Sequence, residues 1–128
     1  MLNVHLPSKK RISTFITIFG ILLLGLNPHI AYAEGIEAVV TKYTKIETCP
    51  KRVCITAMGT VATRNRTVAC PRAYKLGTKI IIDGNSYICE DRTAKKYDGR
   101  FDVYEGDERK AYNRAISWGK QNKTIIIK

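Results

Sequence analysis

The acids of this chain gather in one stretch. Glu90 and Asp91 are followed by Asp98, Asp102, Glu105, Asp107 and Glu108, set among Arg92, Lys95, Lys96, Arg100 and Arg109. Most of these charges suit a solvated surface with weak ion pairs. Asp91 and Asp102 differ, because each sits at the edge of an apolar β segment: Ile88 and Cys89 precede the first, and Phe101 and Val103 flank the second. Successive strand side chains point to opposite faces, so Asp102 is expected to face away from its two apolar neighbours. Such a carboxyl serves as a general acid and base if it stays protonated near neutral pH. An apolar setting or the negative charge of Asp91 favours that, and the surrounding lysines and arginines oppose it.

Histidine chemistry is removed by the way the chain begins. Both histidines, His5 and His29, fall within residues 1–33, which read as a cleavable signal peptide. Lys9, Lys10 and Arg11 form the charged region, and residues 12–26 the apolar region. Asn27 and Pro28 then break the helix, and Ala31-Tyr32-Ala33 offers small residues at the two positions a signal peptidase reads, leaving Glu34 first. An apolar run of 15 residues falls short of the roughly 20 needed to cross a bilayer, so no stable membrane anchor is expected after cleavage. No cysteine stands at the cleavage site to accept a lipid. The exported chain then has no histidine, which excludes Ser-His-Asp and Cys-His catalysis and histidine-ligated zinc. Hydrolytic or transferase chemistry must come from carboxylates, with Tyr or Lys as weaker candidates.

Removing 33 of 128 residues leaves 95, enough for one compact domain, 34–128, with a modest core. Taking the three leader cations from 22 leaves 19 Lys and Arg against 11 acids, a net charge of +8. That balance favours a polyanionic partner such as cell wall, anionic lipid or nucleic acid, and is equally compatible with solubility alone. All four cysteines, Cys49, Cys54, Cys70 and Cys89, lie in the exported part, where two disulfides are expected. Three connectivities are open. The short loop between Cys49 and Cys54, and separate β segments for Cys70 and Cys89, favour Cys49–Cys54 and Cys70–Cys89. A four-cysteine zinc site lacks support, because the spacings contain no C-x2-C knuckle. Neither metal nor cofactor is expected.

The elements that must position these residues are mostly short strands. β-type segments fall at 38–46, 53–56, 67–70, 78–82, 86–89, 100–104 and 124–127, which argues for a small barrel or sandwich. Asp83-Gly84-Asn85 joins two of them, and its Asp-Gly pair suits a tight hairpin turn with positive φ. One helix is expected over 108–118, with Asp107 as N-cap and Gly119 as its stop. Ala111, Ala115 and Trp118 share one face and Tyr112 with Ile116 an adjacent one, so the helix should pack on the barrel. Trp118 reads as core rather than as a sugar-stacking platform. Thr63 to Thr67, with Arg64, Asn65 and Arg66, reads as an exposed basic turn.

From Thr56 to the C-terminus the sequence resembles the three-aspartate (3D) domain. The resemblance rests on T-A-M-G at 56–59, V-A-C-P at 68–71, L-G-T at 76–78, E-D at 90–91, R-F-D-V-Y at 100–104 and A-I-S-W-G at 115–119. It implies a mainly β fold, a six-stranded double-psi β-barrel with one short packed helix. That barrel is shared with the membrane-bound lytic transglycosylase A family and related to RlpA-like, barwin and expansin barrels. Two of the three name-giving aspartates are present, Asp91 and Asp102, and Cys70 replaces the first. Thr93-Ala94 stands where the family tends to have Gly-Gly, and Gly99 is displaced by one position. A Cys70–Cys89 disulfide would take over the structural role of the missing aspartate.

The resemblance implies that Asp102 is the general acid and base of a lytic transglycosylase-like reaction on peptidoglycan, with Asp91 in support. Thr56 would hold substrate or Asp102 by hydrogen bond. The expected partner is peptidoglycan or another anionic cell-wall glycan, and the expected place is secreted or periplasmic, at the cell wall. The alternative is a non-catalytic wall-binding barrel in which both aspartates only brace the fold. A cationic toxin or nucleic-acid binder fits the charge, but no aromatic-basic motif supports it, so no nucleic-acid partner is expected. The protein is expected to be a monomer.

Overall fold

The structure, a computed structural model, describes residues 34–128; the expected signal peptide, 1–33, lies outside them. Six strands close into a barrel: β1 (Ile36–Thr44), β2 (Thr67–Cys70), β3 (Lys79–Ile82), β4 (Asn85–Arg92), β5 (Phe101–Gly106) and β6 (Gln121–Ile127). Around the barrel they run in the order β1-β5-β2-β4-β3-β6. The sheet is mixed, with β1 parallel to β5 and β2 parallel to β4, and the remaining pairs antiparallel.

Strand alternation fills the interior. Val40, Val68, Cys70, Ile80, Ile82, Cys89, Phe101, Val103 and Ile125 form one buried cluster. The hairpin of β3 and β4 turns on Asp83 and Gly84, with φ of 49° and 77°, the positive pair that a tight two-residue turn demands. A second cluster, Tyr43, Cys54, Ala62, Ala69 and Tyr104, lies on the outer face, where the loop between β1 and β2 folds over the sheet.

Both parallel pairs are interrupted once by a bulge. On β2 and β4 the register passes from Val68 opposite Cys89 to Ala69 opposite Asp91, which leaves Glu90 as the extra residue. On β1 and β5 it passes from Tyr43 opposite Tyr104 to Thr44 opposite Gly106, which leaves Glu105. An extra residue reverses the pleat beyond it. Cys89 therefore faces the core and Asp91, two positions later, faces out beside Ala69.

Both extra glutamates are buried and met by cations. Glu105 takes Lys42 at 2.7 Å, Arg114 at 2.6 Å and Arg64 at 3.3 Å. Burial opposes its ionisation, but the hydrogen bonds from Lys42 and Arg114 outweigh it and hold the carboxyl below the ordinary glutamate value. Glu90 Oε2 accepts the Thr67 hydroxyl at 2.6 Å, and Arg66 lies 2.6 Å from Oε1, a charge contact without hydrogen-bond alignment. The basic turn at 63–67 thus points its arginines at buried acids.

Several elements differ from the sequence reading. β1 stops at Thr44 rather than at residue 46, because Glu47 accepts hydrogen bonds from the Thr44 amide at 3.1 Å and its hydroxyl at 3.0 Å. With Glu47 so holding its N-cap, the chain starts a one-turn helix, α1 (Lys45–Thr48), so two α-helices are found among the described residues instead of one. The segment at 53–56 forms a single bridge, Ile55 to Val61, instead of a strand. In the longer helix, α2 (Arg109–Trp118), Glu108 is the N-cap; Asp107 instead accepts the Tyr104 hydroxyl. Ala111 and Ala115 pack inward as expected and Trp118 packs at the margin of the core, whereas Ile116 is exposed.

Candidate functional site

One row of residues runs across four neighbouring strands. Ala69 of β2 is paired with Asp91 of β4 on one side and with Asp102 of β5 on the other, and Asp102 is paired with Thr41 of β1. Two strand spacings, about 10 Å, separate the backbones that carry the two aspartates. Ala69 between them adds only a methyl group, so it forms the floor of a cleft rather than a wall.

The cleft has a volume of about 520 Å³. One bank is the loop closed by the Cys49–Cys54 disulfide, which contributes Arg52, together with Ile55 just beyond it; the other is the turn after β4, with Thr93, Ala94, Tyr97 and Arg100. Thr93 is buried and its hydroxyl has no hydrogen-bond partner among the described residues. The Arg100 guanidinium stacks 3.7 Å from the centre of the Tyr97 ring.

The two aspartates occupy contrasting settings. Asp91 is held on both oxygens: Oδ2 accepts the Tyr43 hydroxyl at 3.0 Å, and Oδ1 accepts the backbone amides of Ala57 at 3.0 Å and Arg92 at 2.9 Å. Asp102 accepts one bond, from the Thr41 hydroxyl to Oδ1 at 2.8 Å, and Oδ2 has no partner among the described residues. Burial raises the Asp102 carboxyl above its ordinary value. The Thr41 hydrogen bond and Arg100 pull it down, Glu47 and Asp91 push it up, and the balance is upward. Tyr43 is also raised, by burial first and then by Asp91, so its hydroxyl remains a neutral donor.

The remaining residues singled out from sequence lie as follows. Thr56 is buried, and its hydroxyl meets that of Thr60 at 2.8 Å and accepts the Thr60 amide at 3.2 Å. It is not among the residues lining the cleft; the T-A-M-G turn instead reaches Asp91 through the Ala57 amide. Cys70 faces the core and is bonded to Cys89, completing the favoured disulfide pairing. Beside it, Arg92 donates to the carbonyls of Pro71 at 3.0 Å and Tyr74 at 2.7 Å. Trp118 borders a second, shallower cavity, and Lys42 stands 5.0 Å over its ring. Among the described residues no group of His, Cys, Asp and Glu is arranged to hold a metal ion.

Thr41 and Tyr43 were not evident from sequence as site residues. Their signal is the two-residue step in Thr41-Lys42-Tyr43, which puts both on one face of β1. Only the register with β5 shows that this face is the one that carries Asp102.

Compared with protein-family models, with curated proteins and with solved structures, the chain matches none.

Proposed function

We propose that the protein is exported and acts on peptidoglycan as a lytic transglycosylase-like enzyme built on a double-psi, 3D-type barrel, with Asp102 as its acid and base. The observation that carries the reading is the setting of Asp102: a lifted carboxyl in a cleft, with one oxygen held by Thr41 and the other without a partner among the described residues. The closed six-stranded order with two parallel pairs supports the barrel, and two disulfides agree with an oxidising destination.

The chemistry asks for a single carboxyl. Protonated Asp102 gives its proton to the oxygen between N-acetylmuramic acid and N-acetylglucosamine as the bond from that oxygen to the muramic acid C1 breaks. The sugar's own 6-hydroxyl closes on C1 and returns its proton to Asp102, leaving a 1,6-anhydro end. Asp91 supports this by position: held by three donors, it fixes the floor and adds a negative charge that favours the protonated form of Asp102. The hydrogen bonds that consume Asp91 equally suit the alternative, a wall-binding barrel with bracing aspartates.

Incubation of the purified protein with peptidoglycan, followed by mass spectrometry for 1,6-anhydromuropeptides, separates the two readings. Release by the wild type and none by Asp102→Asn supports the enzyme. Equal sedimentation of both with the wall, without products, supports the binding barrel.

A further inference from the structure

The loop between α1 and β2 presents an apolar face to solvent. Its arms meet as a short ribbon, in which Ile55 and Val61 are bridge partners, the Ala62 amide donates to the Cys54 carbonyl at 2.9 Å, and the Thr56 amide donates to the Thr60 carbonyl at 2.8 Å. Alternation divides the ribbon. Cys54, Thr56 and Ala62 turn inward, while Val53, Ile55 and Val61 turn outward with 56%, 60% and 54% of their surfaces exposed. Met58, at the tip, is also exposed. The outward side of a half-buried ribbon normally carries polar residues; here it carries branched aliphatic ones.

Along this segment the charge is of one sign, while Arg52 and Ile55 share the cleft with Glu47, Asp91 and Asp102. Between Lys51 and Ala69 the chain holds the cations Lys51, Arg52, Arg64 and Arg66 and no acid. Arg64 and Arg66 contact the buried Glu105 and Glu90 while about half of each side chain stays exposed. Lys51 and Arg52 have no acidic partner among the described residues. Apolar tips flanked by Lys51 and Arg52 match an anionic bilayer, in which aliphatic side chains enter the boundary between headgroups and acyl chains and the two cations meet negative headgroups. A second copy of the chain would bring the same two cations, Lys51 and Arg52, against its own.

We infer that the ribbon over 53–61 docks the protein on an anionic lipid surface. Arg52 and Ile55 also line the cleft of Asp102, so docking places the mouth of that cleft beside the bilayer. The inference stands on the ribbon alone and is independent of what the cleft binds.

The test uses the exported chain, residues 34–128, which holds the whole barrel, with Ile55→Trp, an exposed position, and vesicles of brominated phosphatidylglycerol or brominated phosphatidylcholine. The expected result is quenching of Ile55→Trp on the anionic vesicles about twofold beyond that of the wild type, whose one tryptophan is Trp118, with little on the neutral ones. High salt should reduce it, and adding Lys51→Gln and Arg52→Gln should weaken vesicle affinity about tenfold or more. Absence of excess quenching overturns the inference even where the chain sediments with vesicles, because another segment then makes the contact. Equal quenching on neutral vesicles overturns the anionic preference. Lipid-free dimerisation that Val53→Ser with Val61→Ser abolishes, measured by sedimentation equilibrium, would assign the face to a second copy instead.

Discussion

Asp91 and Asp102 flank the same residue, Ala69, from opposite sides of β2. One carboxylate is held on both oxygens by Tyr43, Ala57 and Arg92, and the other keeps an oxygen without a partner among the described residues. Two acids of one type are thereby placed in different electrostatic settings by their neighbours.

Replacing Asp102 with Asn should lower the release of anhydromuropeptides at least about 100-fold, the scale of a lost general acid. The barrel should stay folded, because the Asn oxygen still accepts the Thr41 hydroxyl. Product assay beside near-ultraviolet circular dichroism checks both.

Activity should fall as pH rises through the lifted value of Asp102, because the proton donor is lost there. Arg100 pulls that value down, so Arg100→Gln should move the alkaline limb of kcat/KM to higher pH. For stability the sign is also fixed. A carboxyl raised in the folded state contributes most below its unfolded value, and that contribution is lost as pH rises through the folded value. Asp102→Asn should therefore look most stabilising at neutral pH, and the gain should vanish in acid, as read by thermal unfolding.

Glu105→Gln should cost about 2 kcal/mol at pH 7, the scale of charged hydrogen bonds lost from Lys42 and Arg114. Here the folded carboxyl is lowered, so its contribution is present above the unfolded value and lost as pH falls through the folded one. Urea titrations should show the gap between wild type and variant closing on acidification.

Tyr43→Phe should cost about 1 to 2 kcal/mol, by taking one of three donors from Asp91. An unchanged m-value with a lower midpoint in urea would identify a loss of stability within the same fold.

Non-reducing peptide mapping should recover Cys49 with Cys54 and Cys70 with Cys89. Cys70→Ala with Cys89→Ala should cost about 3 kcal/mol, and the shorter Cys49–Cys54 loop should cost less when opened. A free Cys70 would refute the view that its disulfide stands in for an aspartate.

What the sequence made legible was local. Asp83-Gly84 announced its hairpin through backbone preference, Gly119 stopped α2, and short β-type segments marked β2, β3 and β5. The segment 53–56 is no barrel strand: Val53-Cys54-Ile55 is a continuous apolar run, of which Cys54 packs with Tyr43 and Ala69 while Val53 and Ile55 face solvent. The site was half legible. Asp91 and Asp102 stood out by their apolar flanks, but Thr41 and Tyr43 became visible only through the register of β1 with β5, and Asp91 faces the cleft only because Glu90 bulges. Register and bulges depend on pairing across the chain, which neither composition nor spacing encodes locally.

The row Thr41, Asp102, Ala69 and Asp91 also has a kinetic meaning. Its members come from four strands, and both parallel pairs join segments far apart in sequence, β1 with β5 and β2 with β4. Such non-local pairings are slow to form, because each loop must be closed before its contacts repay the lost entropy. No hairpin or fragment of this chain can hold the cleft, so a nascent or partly opened molecule carries none. Recovery of the cleft during refolding therefore reports closure of the barrel.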